Sequence, residues 1–254
     1  MFRFDFRGRV RAAGIHLLIS TGVAALAAGL VFGVWFPGIY RLVAGGRDLF
    51  LLVVSVDIVL GPLLTFAVFN LKKGWPHLRR DLAVIGLIQL AALAYGLHTV
   101  YSARPVAMVF ETDRFRVITV AQVAMEELPK ARPEYRELPI TGPWLLGTRL
   151  AARGDESNEA LFKSLDGVDR AERPQFWQPY SASKAEALLQ ARPVATLLSK
   201  YPQLADAVRA ELMQKKIDEA SAKFLPLMGR GGDWVAILDV DGQPVHYVQA
   251  EGFF

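Results

Sequence analysis

The sequence predicts a membrane protein: three transmembrane α-helices, then an α+β extracytoplasmic domain with a mostly antiparallel sheet. Three observations carry this prediction. Apolar residues make up 52% of the chain but crowd into three long runs before residue 102. Basic residues flank those runs unevenly. After residue 102 the pattern changes to short apolar stretches of β-branched and aromatic residues, cut by Gly, Pro and Asp turns and mixed with amphipathic helical segments.

The runs are Ala12 to Phe36, Leu49 to Asn70 and Leu82 to Tyr101. Each is about as long as a helix needs to cross a bilayer. The second is apolar all round except for Ser55, Asp57 and Thr65, unlike a soluble helix with its one apolar stripe. Residues 1–101 thus form the membrane domain and 102–254 an extracytoplasmic one. The first run is about twice as long as a signal-peptide core, and VWFPG at its end lacks the small residues of a cleavage site, so an uncleaved anchor is expected.

Arg3, Arg7, Arg9 and Arg11 precede the first run, and Lys72, Lys73, Arg79 and Arg80 sit between the second and third. The loop from Pro37 to Asp48 holds Arg41 and Arg47. The positive-inside rule then places the N-terminus in the cytoplasm and everything after Tyr101 on the far side. Met1 to Arg11 alternates Phe2, Phe4 and Phe6 with arginines, which suits contact with lipid headgroups. The pI of 9.4 does not signal nucleic acid. Its basic excess lies in the membrane part, with 10 Lys+Arg against 4 Asp+Glu, whereas the rest has 19 against 21. With no cysteine, disulfides and thiolate chemistry are excluded.

Polar residues inside the runs are the candidate functional residues, because a carboxylate facing lipid costs about 3 kcal/mol or more. Asp57, Gly61 and Thr65 recur at fours and share one face, with Pro62 inviting a bend. In the first run His16 and Ser20 form a polar pair, and Thr21, Ala25, Gly29 and Gly33 make a small-residue stripe. In the third, Gln89, Ala92, Gly96 and Thr99 form a comparable one. Tyr95 lies at the depth of Asp57, about 20 Å in, and is its expected partner. Two readings of Asp57 stay open: a tie within the bundle through Tyr95 or the Ile58 carbonyl, or direct contact with a partner helix.

In the second part, Val106 to Phe110 and Phe115 to Val120 read as a hairpin around ETDR. Ala121 to Leu128 reads as a short amphipathic helix, Lys130 to Pro143 as a loop, and Trp144 to Ala151 as a strand. A helix led by Asp155 is expected to turn Ala160, Leu161 and Leu165 to the core. Phe176, Trp177 and Tyr180 lie between prolines ahead of a helix led by Ser181, and are either a partner-binding surface or a loop folded over the core. Pro193 to Lys200 and Gln203 to Ile217 are helical, and FLPLM, GRGGD, WVAILDV and QPVHYV read as a strand, a turn and a terminal hairpin.

No catalytic set stands out. His16, His77, His98 and His246 are too dispersed to hold a metal, and Asp239-Val-Asp241-Gly242 lacks the remaining ligands of a calcium loop. GRGGD lacks the Lys-Ser/Thr of a phosphate-binding loop. No cofactor is expected.

The blocks AAGIHLLISTGVAAL, VDIVLGPLLT, RPVAMVFETDRFRV and LPLMGRGGDWVAILDVDGQPV resemble the TfpX/TfpZ family of type IV pilin accessory proteins. The resemblance implies a bacterial inner-membrane protein, encoded beside a major pilin, that supports the stability or assembly of that pilin without being a subunit. Its partners would be a type IV pilin and membrane lipid, with the C-terminal domain in the periplasm. Chaperone-like holding of the pilin helix in the bilayer and of its head outside is the expected function. The alternatives are a membrane-anchored pilin-modifying enzyme and a periplasmic sensor or scaffold. The enzyme lacks a visible donor site, and the sensor lacks a cytoplasmic output domain.

Overall fold

A computed structural model describes residues 6–70 and 74–254 of the 254-residue chain. The headgroup contacts expected of Phe2, Arg3 and Phe4, and the charges of Lys72 and Lys73, lie outside the described residues.

Three helices are long and apolar enough to cross a membrane. The first is α1 (Phe6–Leu30), which ends in a wider π-type turn over Val31–Trp35 where the Phe36 amide reaches back to the Val31 carbonyl at 2.7 Å. A one-turn helix, α2 (Tyr40–Val43), leads to α3 (Gly46–Val68). Pro62 is accommodated within α3, which stays continuous. The last span, α4 (Trp75–Ser102), starts with Pro76 in its first turn, where a missing N–H costs nothing. It runs through Ala103 and the buried Arg104 straight into the sheet. The Arg104 guanidinium lies 3.8 Å over the Tyr101 ring and bonds the Tyr101 and Pro139 carbonyls.

The spans pack through the expected face on α3 and through Gln89 and Gly96 of the expected stripe on α4, but not through the stripe on α1. Buried positions on α3 recur at Gly46, Phe50, Val54, Gly61 and Thr65, and on α4 at Leu78, Ile85, Gly96 and Val100. On α1, Ala24, Ala27, Ala28 and Val31 face the core. Thr21, Ala25, Gly29 and Gly33 are exposed, as are Ala92 and Thr99. Small size alone did not decide the contact. Alanines with one valine give α1 a flat face onto α3, whereas a Cβ added at Gly29 or Gly33 meets nothing within 4 Å.

The strands are β1 (Pro105–Glu111), β2 (Arg114–Thr119), β3 (Trp144–Thr148), β4 (Trp177–Pro179), β5 (Arg192–Pro193), β6 (Lys223–Gly229), β7 (Gly232–Leu238) and β8 (Pro244–Gln249). They form one sheet in the order β4-β3-β1-β2-β6-β7-β8, with β5 paired to β6. The sheet is mixed, not mostly antiparallel. Hairpin neighbours run antiparallel, but β1 pairs with β3 and β2 with β6 in parallel, because long connections return these strands in the same direction.

Alternation sorts the strand residues to two faces. Met108, Phe110, Phe115, Val117, Leu225, Leu227, Trp234 and Ala236 join one apolar core with Phe36, Val43, Phe50 and Val100 of the helical part. The opposite face is covered by α7 (Val194–Lys200) and α8 (Ala205–Gln214) over Phe224, Val235 and Ile237, and by irregular segments over Val109, Ile118 and Leu146. β1 is buried along its whole length, which is why it reads as an unbroken apolar run.

Two local expectations need correcting. Ala121 to Leu128 forms two 3-10 turns, Val120–Gln122 and Met125–Lys130, instead of an amphipathic helix. A capping box from Thr119 to Gln122 fixes the first, and Pro129 lies in the second. The helix led by Asp155, α5 (Asp155–Leu165), lies on the surface with no buried residue and is held to the domain through acidic side chains. Glu156 pairs with Arg149 at 2.7 Å and Glu159 with the buried Arg173 at 2.6 Å, so Leu161 and Leu165 point outward. Two directed ion pairs outweighed the apolar pattern. The segment after Tyr180 becomes helical at Lys184, as α6 (Lys184–Gln190).

Candidate functional site

The polar residues of the spans converge on Gly61. His16 reaches it from α1 and Gln89 from α4, and a Cβ at position 61 would lie 2.9 Å from both His16 Nε2 and the Gln89 amide carbon. A missing side chain on α3 is therefore what lets both neighbours lie against its backbone. His16 Nδ1 lies 2.5 Å from Thr65 Oγ1, and Gln89 Nε2 donates to the Asp57 carbonyl at 3.3 Å. Arg9 fastens the far end of α3, donating to the Phe66 and Ala67 carbonyls at 3.0 and 2.8 Å.

α1 and α4 each pack along α3 but meet one another mainly near the sheet, where Trp35 stacks edge-on to Tyr101 at 5.2 Å. Between them lies an open-sided cavity of about 220 Å³. Asp57 and Val54 of α3 contribute to its lining, with His16, Ile19, Ser20 and Val23 of α1 on one wall and Gly86, Gln89, Leu90 and Leu93 of α4 on the other. The Asp57 carboxylate accepts no hydrogen bond from the described residues, since Gln89 bonds its carbonyl instead. Chemically this is a groove between helices, apolar along its length and polar at one level.

Tyr95 does not partner Asp57. Its side chain is 75% exposed and does not line the cavity. Gly96, the next residue, packs on Val53 of α3, one turn from Asp57, and α4 begins at Trp75 instead of Leu82, so the level of Asp57 falls at Gln89 and Tyr95 lies about 9 Å further along the helix. Phe176, Trp177 and Tyr180, open to reading as a partner surface or as a loop folded over the core, are all three buried. Trp177 Nε1 donates to the Ala171 carbonyl at 2.8 Å, Tyr180 donates to the Gly242 carbonyl at 2.5 Å, and the guanidinium groups of Arg149 and Arg173 lie 4.8 and 4.9 Å from the centre of the Phe176 ring. Their prolines close a loop over the core.

A larger cavity of about 650 Å³ lies on the sheet face away from the spans, between β2, β6 and α5. Its charges are mutually satisfied. Arg116 bonds Asp169 at 2.8 Å and Glu172 at 2.7 Å, while Arg170 lies 3.5 Å from Glu111 and bonds Thr112 at 3.0 Å. Burial, helped by Asp169, pushes the Glu111 carboxyl above its usual range. Arg114 pairs with Asp113, so each arginine lining the cavity has an acidic partner and none is left over for a phosphate. Among the described residues, no three His, Asp or Glu side chains are grouped to hold a metal ion.

Comparison with known proteins supplies the family. The fimbrial assembly protein of Dichelobacter nodosus serogroup I is 37% identical over 253 residues, covering 99% of this chain and 98% of that protein. This chain belongs to the fimbrial assembly protein family. The serogroup E1 protein of the same organism is 36% identical over the same length, and that of serogroups C1 and C2 is 43% identical over 129 residues. The family description "Fimbrial assembly protein FimB" matches residues 4–45, which include the His16 and Ser20 wall of the groove and the whole of α2. No solved structure matches the chain.

Of the intramembrane residues singled out in this fimbrial assembly protein, Asp57, Gly61, Thr65, His16 and Gln89 are brought together and Tyr95 is not. Sequence reasoning missed the apolar walls. Gly86, one turn before Gln89 with nothing within 4 Å of its would-be Cβ, was the available sign that the α4 wall stays uncovered.

Proposed function

We propose that this fimbrial assembly protein is a non-enzymatic inner-membrane accessory factor of the TfpX/TfpZ kind, which holds a type IV pilin before it joins the fibre. The observation that carries the reading is the open-sided groove beside α3, with Asp57 unpaired in it. A groove of this shape suits a fourth helix, and a subunit awaiting assembly would offer a membrane helix with a head outside. Arg9 and Arg11 on α1, and Arg79 and Arg80 on α4, lie at the end of the bundle opposite the sheet. The positive-inside rule therefore supports a cytoplasmic N-terminus and a periplasmic domain. In this reading the domain shields the head of the same pilin. The names of the D. nodosus relatives support the assembly role.

The test is pilin abundance and surface piliation in a strain lacking the gene, with the wild-type protein and Asp57→Asn restored in turn. Pilin that falls, or stays unassembled in the membrane, and is rescued by wild type supports accessory holding. Pilin that is abundant and assembled but altered in mass would replace this reading with a modifying enzyme.

A further inference from the structure

The groove also specifies the chemistry of its occupant. We infer that it takes a transmembrane helix carrying a nitrogen hydrogen-bond donor, cationic in class, at the level of Asp57. The inference rests on the proposed membrane role and adds what is recognised there.

Asp57 is the middle residue of α3, with Gly46 and Val68 each 11 residues away. At 1.5 Å per residue either end is about 16 Å distant, so neither lipid headgroups nor bulk water supply its donors. The nearby donors of the protein are engaged: Gln89 Nε2 bonds the Asp57 carbonyl and His16 Nδ1 pairs with Thr65 Oγ1. His16 Nε2 lies over Gly61, and the Ser20 hydroxyl faces the same cavity. These two add polarity but no fixed positive charge. The remaining walls, Ile19, Val23, Leu90 and Leu93, are apolar and accept a helix side without hydrogen bonds of their own. In the α4 wall, Gly86 leaves room for the backbone of an incoming helix to come close. Shape asks for a helix, and a carboxylate that has His16 as its charged neighbour but receives no hydrogen bond from the described residues asks for an N–H donor on it.

The chain has no cysteine, so single cysteines report position without background. Leu90→Cys marks the groove wall, and Leu52→Cys, exposed on α3 outside the groove, is the control. The full-length protein is reconstituted in phosphatidylcholine–phosphatidylglycerol vesicles with a synthetic leucine–alanine transmembrane peptide. The peptide carries one central lysine and a cysteine one turn away, and a second version has leucine for lysine. Oxidative adducts are then quantified. The lysine peptide should join Leu90→Cys roughly three- to ten-fold more than the leucine peptide. That preference should disappear when Asp57→Leu is added, with the leucine adduct unchanged.

Equal adducts with both peptides would overturn the inference, as would a lysine preference that survives Asp57→Leu or adducts favouring Leu52→Cys. Disulfide-linked pairs of Leu90→Cys chains that exclude the peptide would overturn it too, by assigning the groove to a second copy. Should the peptides fail to discriminate while loss of the gene still abolishes piliation, the donor chemistry is wrong and the assembly role stands.

Discussion

The Gly231 amide donates a 2.8 Å hydrogen bond to the Val43 carbonyl, tying the tip of the β6–β7 hairpin to α2 between the first two spans. A Cβ on Gly231 would collide with the Leu42 carbonyl, and one on Gly229 with that of Val43. The hairpin can approach α2 this closely because it is built of glycine. Tyr40 of α2 is half-buried beside Met108 and Tyr247, and desolvation drives its hydroxyl well above the usual range for a phenol. The domain is therefore seated on the loop between the spans as well as joined to α4 by the chain.

Gly231→Ala should loosen this seat and lower the apparent Tm of the detergent-solubilised protein, at a cost of about 1–3 kcal/mol. Gly22→Ala, which adds a Cβ into open space on a helix, should leave the Tm unchanged or raise it slightly. Thermal scans of the two variants beside wild type check this.

Gly61→Val should separate α1 and α4 from α3 by displacing both His16 and Gln89. The expected outcome is a bundle more easily opened by dodecyl sulfate, with the soluble-side sheet retaining its circular dichroism. Gly14→Ala, where a Cβ meets nothing within 4 Å, should behave as wild type.

Trp177→Ala should destabilise the domain by about 3–5 kcal/mol, because the ring is buried and its indole N–H is bonded. Chemical denaturation followed by tryptophan fluorescence measures this. A surface role would instead have predicted little effect.

The attachment of α5 should weaken only in strong acid. Arg149 and the Ala152 amide hold the Glu156 carboxyl down at about 2, against an ordinary value of 4.5. A depressed carboxylate contributes stability that is full above its unfolded pKa and is lost as pH falls through the folded one. Proteolysis within residues 150–168 should thus be slow at pH 5 and faster toward pH 2. Arg149→Ala should shift the onset upward toward pH 4.5.

The three spans were legible because length and apolarity are nearly sufficient to specify a membrane helix, and most of the hairpins because turn chemistry is local. The convergence of His16 and Gln89 on Gly61 was half legible. Spacing at fours placed Asp57, Gly61 and Thr65 on one face, but depth counted from the apolar run at Leu82 pointed to Tyr95, whereas α4 starts a polar turn and more earlier, at Trp75, which brings Gln89 to the level of Asp57. The parallel pairings of β1 with β3 and β2 with β6 depend on long connections that carry no local signal. The outward turn of Leu161 and Leu165 escaped because the ion pairs that orient α5 come from Arg149 and Arg173, and Arg173 lies beyond the far end of the helix in sequence.

The most direct test of the central claim is site-specific crosslinking in cells that make fimbriae, with Leu90→Cys or Leu52→Cys replacing the wild-type protein and a cysteine placed midway along the pilin's membrane helix. The account predicts an adduct at Leu90→Cys that reacts with antibody to the pilin, and little or none at Leu52→Cys. Adducts equal at both positions, or pilin that assembles normally without ever joining Leu90→Cys, would contradict it.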